Sequence, residues 1–359
     1  MRSEKVADYR RREHRRIGYI LVLVVICLAL SIYSLSVSKF GVTMNDVITS
    51  IVNHLTGNIP QRGTGEQYLK WMLDRIIMDD NLPRTVAGVC VGATLAICGA
   101  MMQSITRNPL TDPYTIGISS AALFGVAISL CYGVCIIPVF EGDNASIVNA
   151  FVLALVPSTV IIFVSTFKKM SSTMMILVGI GMMYMFSAFT TFMKFNAEAE
   201  VLHEIYEWGL GTLSRTDSST SLPLIAAFVL ILVFAMVIAN KINVMCTGDN
   251  MSKSLGVNPI RLRIVTFLMM SVATAVCVCF TGSIGFVGLV GPHIARLFVG
   301  SDNKILIPTS AVIGAILVVV SDVVVRIIPG SLPVGTITAL IGSPLFMYFL
   351  YKQRKNAAF

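Results

Sequence analysis

Charged residues are scarce in this sequence. Only 13% of its 359 residues are Asp, Glu, Lys or Arg, while 55% are hydrophobic. Soluble domains carry about 25% charged residues, so these proportions exclude a soluble protein. A mean hydropathy of +0.80 indicates a chain that lies mostly in lipid. The apolar runs are continuous, which excludes a barrel of alternating segments of about ten residues.

The sequence also lacks the motifs of nucleotide and metal chemistry. It has no G-x4-G-K-[ST] phosphate loop, so this chain does not hydrolyse ATP by that route. It has no H-E-x-x-H motif, and its four histidines, His14, His54, His203 and His293, are far apart in sequence. No nucleophile and base can be paired by spacing. We therefore expect neither an enzyme nor a resident metal or cofactor.

The eight cysteines lie almost entirely inside apolar runs. Two close pairs occur, Cys131 with Cys135 and Cys277 with Cys279, but neither has the second pair that a zinc site needs. We expect all eight to be reduced and to pack as small hydrophobic side chains.

Ten apolar runs predict an all-α polytopic membrane protein with ten transmembrane helices. A helix needs about 20 apolar residues to cross a bilayer. A basic tail, 1–16, precedes the ten-helix transmembrane domain, 17–351, and a short tail, 352–359, follows it. The runs are 17–36, 84–103, 114–138, 148–167, 174–195, 221–240, 263–283, 286–299, 305–328 and 333–351.

The placement of positive charge orients these helices. Seven Lys and Arg residues crowd the first sixteen positions, directly before an apolar run that is too long for a signal-peptide core. This favours an uncleaved span with its N-terminus in the cytoplasm over a nucleic-acid contact. With both termini inside, the inner segments hold 18 Lys and Arg and the outer ones five, while acidic residues number 12 outside and 6 inside.

Three connections and one short run stand out. Residues 37–82 and 196–220 form long outer connections, and 241–263 is the longest inner one. The inner segment predicts one or two short helices, the first capped by Asp249, before Gly256-Val257-Asn258-Pro259 breaks the chain. The run 286–299 is short for a span and contains Pro292, which indicates a broken or tilted helix.

Few ionisable residues fall within the predicted spans. Asp322 and Arg326 are four residues apart, so their side chains can pair on one helix face. Arg84 opens the second span, where contact with the head groups is enough to account for an arginine. Arg296 ends the eighth span on the cytoplasmic side, where the excess of positive charge in inner segments accounts for it. A stand-alone ion-coupled carrier would need more acidic residues at this depth. A passive channel is the other alternative, because glycines and polar residues can line a pore. For each glycine taken alone, such as Gly88, Gly92 or Gly99, close helix packing is the commoner role.

Several motifs resemble one family, the FecCD-like permeases of ABC importers for iron–siderophores, haem and cobalamin. The resemblance covers residues 80–351 in the family's order. The motifs are Asn81-Leu82-Pro83-Arg84, Gly92 and Gly99, Gln103, Arg107 to Pro113, Trp208-Gly209, Leu255-Gly256, Gly285 to Arg296, Asp322 with Arg326, Leu332 to Gly335 and Gly342-Ser343-Pro344.

The resemblance implies ten helices, cytoplasmic termini and a bacterial cytoplasmic membrane. It also implies four kinds of partner besides the lipid bilayer. These are a second permease chain, identical or paralogous, two cytoplasmic ATPase chains that bind ATP and magnesium, and an extracytoplasmic binding protein. Nucleic acid is not among them. Ferric siderophore ranks first as cargo, followed by haem or a corrinoid and then oxyanions.

The resemblance assigns roles to individual positions. Docking of the binding protein falls to Arg84 and Arg326, and ATPase coupling to Ser252, Lys253, Leu255, Gly256, Val257 and Asn258. The cytoplasmic gate falls to Asn108, Leu110, Ser172 and Thr173. The structural motif comprises Gln103, Pro109, Gly288, Pro292, His293, Arg296, Asp322, Pro333 and Gly335. Two family charges are missing, since Asn81 replaces an arginine and Ser331 a glutamate.

Overall fold

A computed structural model describes residues 2–167, 171–328, 330 and 332–357 of the chain, and within these ranges it contains helices and no strand. The α-helices are α1 (Arg2–Ser36), α2 (Met44–Thr56), α3 (Glu66–Arg75), α4 (Leu82–Thr106), α5 (Ile118–Tyr132), α6 (Asp143–Ala154), α7 (Val156–Phe167), α8 (Ser172–Phe195), α9 (Ala199–Leu210), α10 (Ser218–Met245), α11 (Asp249–Ser254), α12 (Pro259–Thr281), α13 (Val287–Val299), α14 (Asn303–Ile327) and α15 (Val334–Ala357). The all-α class predicted from the sequence is confirmed.

The described residues form seven helical stretches that are long and apolar enough to cross a membrane. Three shorter apolar helices accompany them, Ile118–Tyr132, Val287–Val299 and Val334–Tyr348. Each of the ten predicted runs therefore contains an apolar helix, but three of those helices fall short of the about 20 residues that a perpendicular crossing needs. Ten complete crossings remain a prediction.

Helix α4 is the central element of the bundle. It packs against α10, α12, α13 and α14, and nearly all of its side chains are buried. Small residues allow these backbones to approach closely: a Cβ on Gly92 would overlap the backbone of Gly314, and one on Gly99 would overlap the carbonyl of Gly288. The close packing expected from the glycine spacing is confirmed at these positions. Gly285 is different, because a Cβ there would meet open space.

Two of the short helices begin inside the bundle, which explains their length. Gly288, in the first turn of α13, lies against the middle of α4 and beside Pro113. Pro113 opens a 3-10 turn, Pro113–Ile116, that leads into α5. The chain thus folds back between α4 and α5, and again between α12 and α13. Irregular backbone at this depth is tolerated where protein covers it, and most residues of 282–286 are indeed buried or half-buried.

The long connections contain more structure than the sequence analysis predicted. The segment 37–82 holds α2, whose N-cap Thr43 forms a capping box with Asp46, and α3. A π-helical segment, Ile76–Asn81, then joins α3 to α4 in one continuous helix. The segment 196–220 likewise contains α9.

Arg84 lies in the first turn of α4 and Arg107 is its C-cap, so they mark the two ends of the bundle, the Arg84 end and the Arg107 end. At the Arg84 end, Ser34 near the end of α1 bonds to Thr85 over 3.0 Å. At the Arg107 end, a Cβ on Gly300 would lie 3.2 Å from the Arg16 guanidinium. Asn303, three residues on, donates its backbone N–H to Asn243 at 2.9 Å. The segment 241–263 therefore lies at the same end of the bundle as the basic start of α1.

The α4 crossings provide a test of the packing. Gly99→Ala places a methyl group against the Gly288 carbonyl, and overpacking of this kind costs about 1–3 kcal/mol. We expect a lower thermal unfolding midpoint for the detergent-purified variant. Gly181→Ala in α8 is the matched control, because nothing lies within 4 Å of the added carbon. Equal midpoints for the two variants would contradict the crossing.

Candidate functional site

The Arg84 end is organised around one buried carboxylate. Asp322 accepts a hydrogen bond from Arg84 Nε at 2.7 Å and one from Arg326 Nε at 2.8 Å. The Asp322 side chain is 2% exposed, that of Arg326 7% and that of Arg84 17%. The predicted pairing of Asp322 with Arg326 is confirmed. Arg84 does not simply extend to the head groups, because its guanidinium shares the same aspartate.

The other N–H groups of the Arg326 guanidinium donate hydrogen bonds to neighbouring helical segments. Its Nη1 donates to the Ser34 carbonyl at 3.0 Å and to Asn81 Oδ1 at 3.1 Å, and its Nη2 donates to Ser34 Oγ at 2.9 Å. Asn81 in turn donates to the Leu35 carbonyl at 2.9 Å. Asn81, which stands where the family has an arginine, is therefore a buried link between α1 and α14. Arg84 remains the more accessible of the two predicted docking arginines.

A cavity of about 250 Å³ opens beside this cluster. Its charged lining residues are of both signs, namely Lys39, Asp80, Arg84, Glu207 and Arg326. Pro333 of the structural motif also lines it. Ser331, the second departure from the family pattern, lies outside the described residues. The docking role predicted for Arg84 and Arg326 stays a prediction.

At the Arg107 end, the last turn of α4 bonds to three other helices. Gln103 donates to the Leu289 carbonyl at 3.3 Å and accepts a hydrogen bond from Arg296, which holds α4 against α13. Ser104 donates to Asn303 of α14 at 2.9 Å. The Ile105 carbonyl accepts from Arg263 of α12 at 3.4 Å. Consecutive residues thus fix this end of α4 from several sides.

Other structural-motif residues serve the same packing. Pro292 lies inside α13 and is buried, and His293 Nδ1 lies 2.8 Å from the Leu289 carbonyl. Gly335 at the start of α15 donates to the Gly211 carbonyl at 3.2 Å, and a Cβ there would overlap the Leu210 carbonyl. Pro109 is exposed in the turn after α4.

The inner segment contains one short helix, α11, with a different start from the predicted one. Gly248 is its N-cap, and Asp249 is the first helical residue. The carboxylate of Asp249 accepts two hydrogen bonds from Arg263, at 2.6 and 2.9 Å, and one from Arg107 at 3.1 Å. The bond from Arg263 lowers the pKa of Asp249 below its usual value. The prediction of an Asp249 cap is therefore wrong, because salt bridges occupy the side chain.

The predicted coupling residues divide into supporting and exposed ones. Ser252 is fully buried and donates to the Val244 and Gly248 carbonyls at 3.0 and 2.7 Å. Asn258 caps α12 by accepting a hydrogen bond from the Arg261 N–H at 3.1 Å. Lys253, Leu255, Gly256 and Asn258 are exposed, while Val257 is half-buried.

Leu255 and Met251 form an exposed apolar pair at the Arg107 end. They are 58% and 54% exposed and lie four residues apart, one turn of helix. Buried Ser252, between them in sequence, holds this turn in place. The pair projects from a short helix that salt bridges fix at its start, which is a geometry suited to entering a cleft on another protein.

The two predicted gate pairs lie in different elements. Asn108 accepts a hydrogen bond from the Leu110 N–H at 3.0 Å, and Leu110 is 46% exposed. Ser172 is buried and Thr173 exposed at the start of α8. Helix α8 crosses the 3-10 turn at Gly179, so this second pair lies about two turns toward the helix start. The gate assignment stays a prediction.

A second cavity, of about 590 Å³, lies along the first half of α15. Its lining among the described residues carries no charge and includes Leu210, Ser283, Phe286, Thr336 and Ser343. Phe286 has a φ of 67°, a conformation unusual outside glycine. In the described part of the chain, no three His, Cys, Asp or Glu side chains are grouped so that they could hold a metal ion. The site therefore consists of an exposed apolar pair, which can contact another protein, and of an uncharged cavity, which can hold a bulky solute.

Several functional candidates were missed by the sequence analysis. Arg107, Arg263 and Met251 were given no role, although the first two surround the aspartate of α11. Arg107 directly precedes the gate motif, and an arginine within a largely apolar helix, as Arg263 is in α12, indicates a buried partner. Those two signals were present in the sequence, but the identity of the shared partner was not.

Comparison with known proteins shows which family this chain resembles in sequence and in structure. The profile of the FecCD transport family matches residues 22–352. An iron chelatin transport system permease of Helicobacter pylori is 33% identical over 93% of this chain and 96% of its own length. A cobalamin import system permease of Halobacterium salinarum is 36% identical over 77% of this chain and 73% of its own. A solved metal-chelate type ABC transporter in an inward-facing conformation has a TM-score of 0.79 at 26% identity, covering 93% and 99%.

The buried cluster at the Arg84 end can be tested by removing its carboxylate charge. Asp322→Asn leaves two arginines without a counter-ion, and breaking a buried ion pair in this way costs about 3–5 kcal/mol. We expect a clearly lower thermal unfolding midpoint. Asp79→Asn is the control, because its ion pair with Arg75 is exposed and is worth at most about 1 kcal/mol. Similar midpoints for both variants would show that the cluster does not stabilise the fold.

Proposed function

This chain belongs to the FecCD transport family and is the permease subunit of an ABC transporter, and from this premise we propose that it carries a ferric siderophore across the bacterial cytoplasmic membrane. The permease itself is not an enzyme. The observation that carries the mechanism is the exposed pair formed by Met251 of α11 and its C-cap Leu255. Salt bridges hold this helix at the end of the bundle nearest the basic N-terminus. Haem and corrinoid are the alternative cargoes.

We place the Arg107 end in the cytoplasm. Positive charge concentrates in cytoplasmic segments, and seven Lys and Arg residues precede the first span. The segments 104–113, 241–263 and 300–304 share this end with α1's basic start. The seven long helical stretches and three shorter helices then make ten crossings, with both tails, 1–16 and 352–359, inside.

Helix α11 is the proposed contact with a separate ATPase. The chain has no phosphate loop of its own, so ATP and magnesium would bind to two partner ATPase subunits. An apolar pair on a short anchored helix transmits a displacement better than a flexible loop would. Leu255, Lys253 and Gly256 would contact the ATPase directly, while Ser252 and Asn258 hold the segment in shape.

The cargo pathway would lie between this chain and a second permease chain. Met347, Tyr348 and Tyr351 of α15 and Leu177, Tyr184 and Phe192 of α8 are exposed in the isolated chain. Alternating access would open this space first on one side and then on the other, with Asn108, Leu110, Ser172 and Thr173 narrowing the cytoplasmic mouth. The uncharged cavity beside α15 suits the passage of a bulky chelate that is not held tightly.

At the opposite end, an extracytoplasmic binding protein would deliver the chelate. Arg84 and Arg326 are the proposed docking residues, and Arg84 is the better placed, because Arg326 is nearly buried. Exposed ion pairs contribute about 0–1 kcal/mol each, so these residues would orient docking more than provide affinity.

Reconstitution tests the proposed function directly. Vesicles containing this permease, its ATPase and its binding protein should accumulate a radioiron-labelled ferric hydroxamate only when ATP is supplied. Hemin and cyanocobalamin in parallel vesicles test the alternative cargoes. Uptake driven by a proton gradient in vesicles without ATPase would instead support a stand-alone carrier.

The coupling contact has its own test. Leu255→Asp places a charge in the proposed apolar contact and should reduce capture of the purified ATPase about tenfold or more, the equivalent of about 1.4 kcal/mol. Membrane insertion should be unchanged. Leu55→Asp is the matched control, since Leu55 is 82% exposed in α2, at the opposite end. Normal capture by the Leu255 variant would exclude α11 as the ATPase contact.

A further inference from the structure

The chain leaves α4 through an unusual backbone conformation. Arg107 ends the helix with φ 53° and ψ 34°, and it is one of two non-glycine residues with positive φ in the described chain. L-residues rarely adopt this left-handed conformation, which glycine adopts easily. An arginine at this position therefore indicates that its side chain is needed there.

The side chain of Arg107 reaches α11. Its Nη2 donates to Asp249 Oδ1 at 3.1 Å, and the same carboxylate accepts two hydrogen bonds from Arg263. Arg263 is 3% exposed, whereas Arg107 is 44% exposed. Arg263 therefore holds Asp249 from the buried side, and Arg107 contacts the same carboxylate from the protein surface.

The backbone of Arg107 continues directly into the proposed gate. Asn108 donates its N–H to the Gln103 carbonyl at 3.2 Å and accepts from the Leu110 N–H at 3.0 Å. The Thr111 N–H also lies 3.4 Å from the Asn108 carbonyl. These bonds make 108–111 a compact turn, so a displacement at Arg107 moves the turn as a unit.

We propose that the ion pair between Arg107 and Asp249 is the relay that carries movement of α11 to the cytoplasmic gate. The inference rests on the proposed function, since α11 moves only if an ATPase grips it. Arg107 and Asp249 are positioning residues that contact neither cargo nor nucleotide. An exposed pair adds little stability, so its expected contribution lies in coupling rather than in folding.

Hydrogen–deuterium exchange in the assembled permease–ATPase complex tests the relay without any cargo. Addition of a non-hydrolysable ATP analogue should change exchange in both 249–254 and 108–112. In Arg107→Gln, the change in 108–112 should fall to half or less, while the change in 249–254 persists. Arg107→Lys keeps the charge and should restore part of the response.

Two control variants distinguish the relay from a general loss of an arginine or of the α11 salt bridges. Arg75→Gln removes the same kind of side chain from an exposed ion pair at the opposite end and should leave both responses intact. Asp249→Asn combined with Arg107→Gln should lower the 108–112 response no further than Arg107→Gln alone.

A full 108–112 response in Arg107→Gln would overturn the relay, and so would loss of the 249–254 response. Failure of the wild-type chain to capture any ATPase would instead contradict the proposed function.

Discussion

Helix α4 is held at each end by an aspartate that two arginines share. At its start Asp322 lies between Arg84 and Arg326, and just past its end Asp249 lies between Arg107 and Arg263. In both clusters one arginine belongs to α4 or its cap and the other to a different helix. Because an unpaired charge is costly in a low-dielectric interior, the buried Asp322 cluster fixes the start of the helix against which α10, α12, α13 and α14 pack. The exposed Arg107–Asp249 pair adds little stability at its end.

The two aspartates differ in how deeply they are buried, and this gives the two ends of the bundle different rigidity. Asp322 is 2% exposed and one of its partners, Arg326, bonds to α1 as well, so the Arg84 end is a rigid platform suited to receiving a docked protein. Asp249 is 38% exposed and belongs to a six-residue helix. Helix α11 can therefore move relative to α4, while Gln103 and Ser104 keep α4 itself attached to α13 and α14.

Close backbone contact explains how helices of unequal length form one bundle. Gly92 meets Gly314 and Gly99 meets Gly288, so the short helix α13 starts at mid-bundle in close contact with α4. Dispersion contacts and hydrogen bonds stabilise such crossings in lipid, where burial of apolar surface adds little. The same packing leaves the uncharged cavity beside α15 open, and this combination of a tight core and an open flank suits a permease that pairs with a second chain.

The sequence by itself determined the helical class, the location of the ten apolar helices, the family and the pairing of Asp322 with Arg326, because hydropathy, charge placement and i, i+4 spacing are local properties. It did not reveal α2, α3 or α9, since amphipathic helices in connections lack a long apolar run. Nor did it reveal which carboxylate Arg84, Arg107 and Arg263 contact. Those pairings join residues up to 238 positions apart, and only the folded arrangement of the helices brings them together.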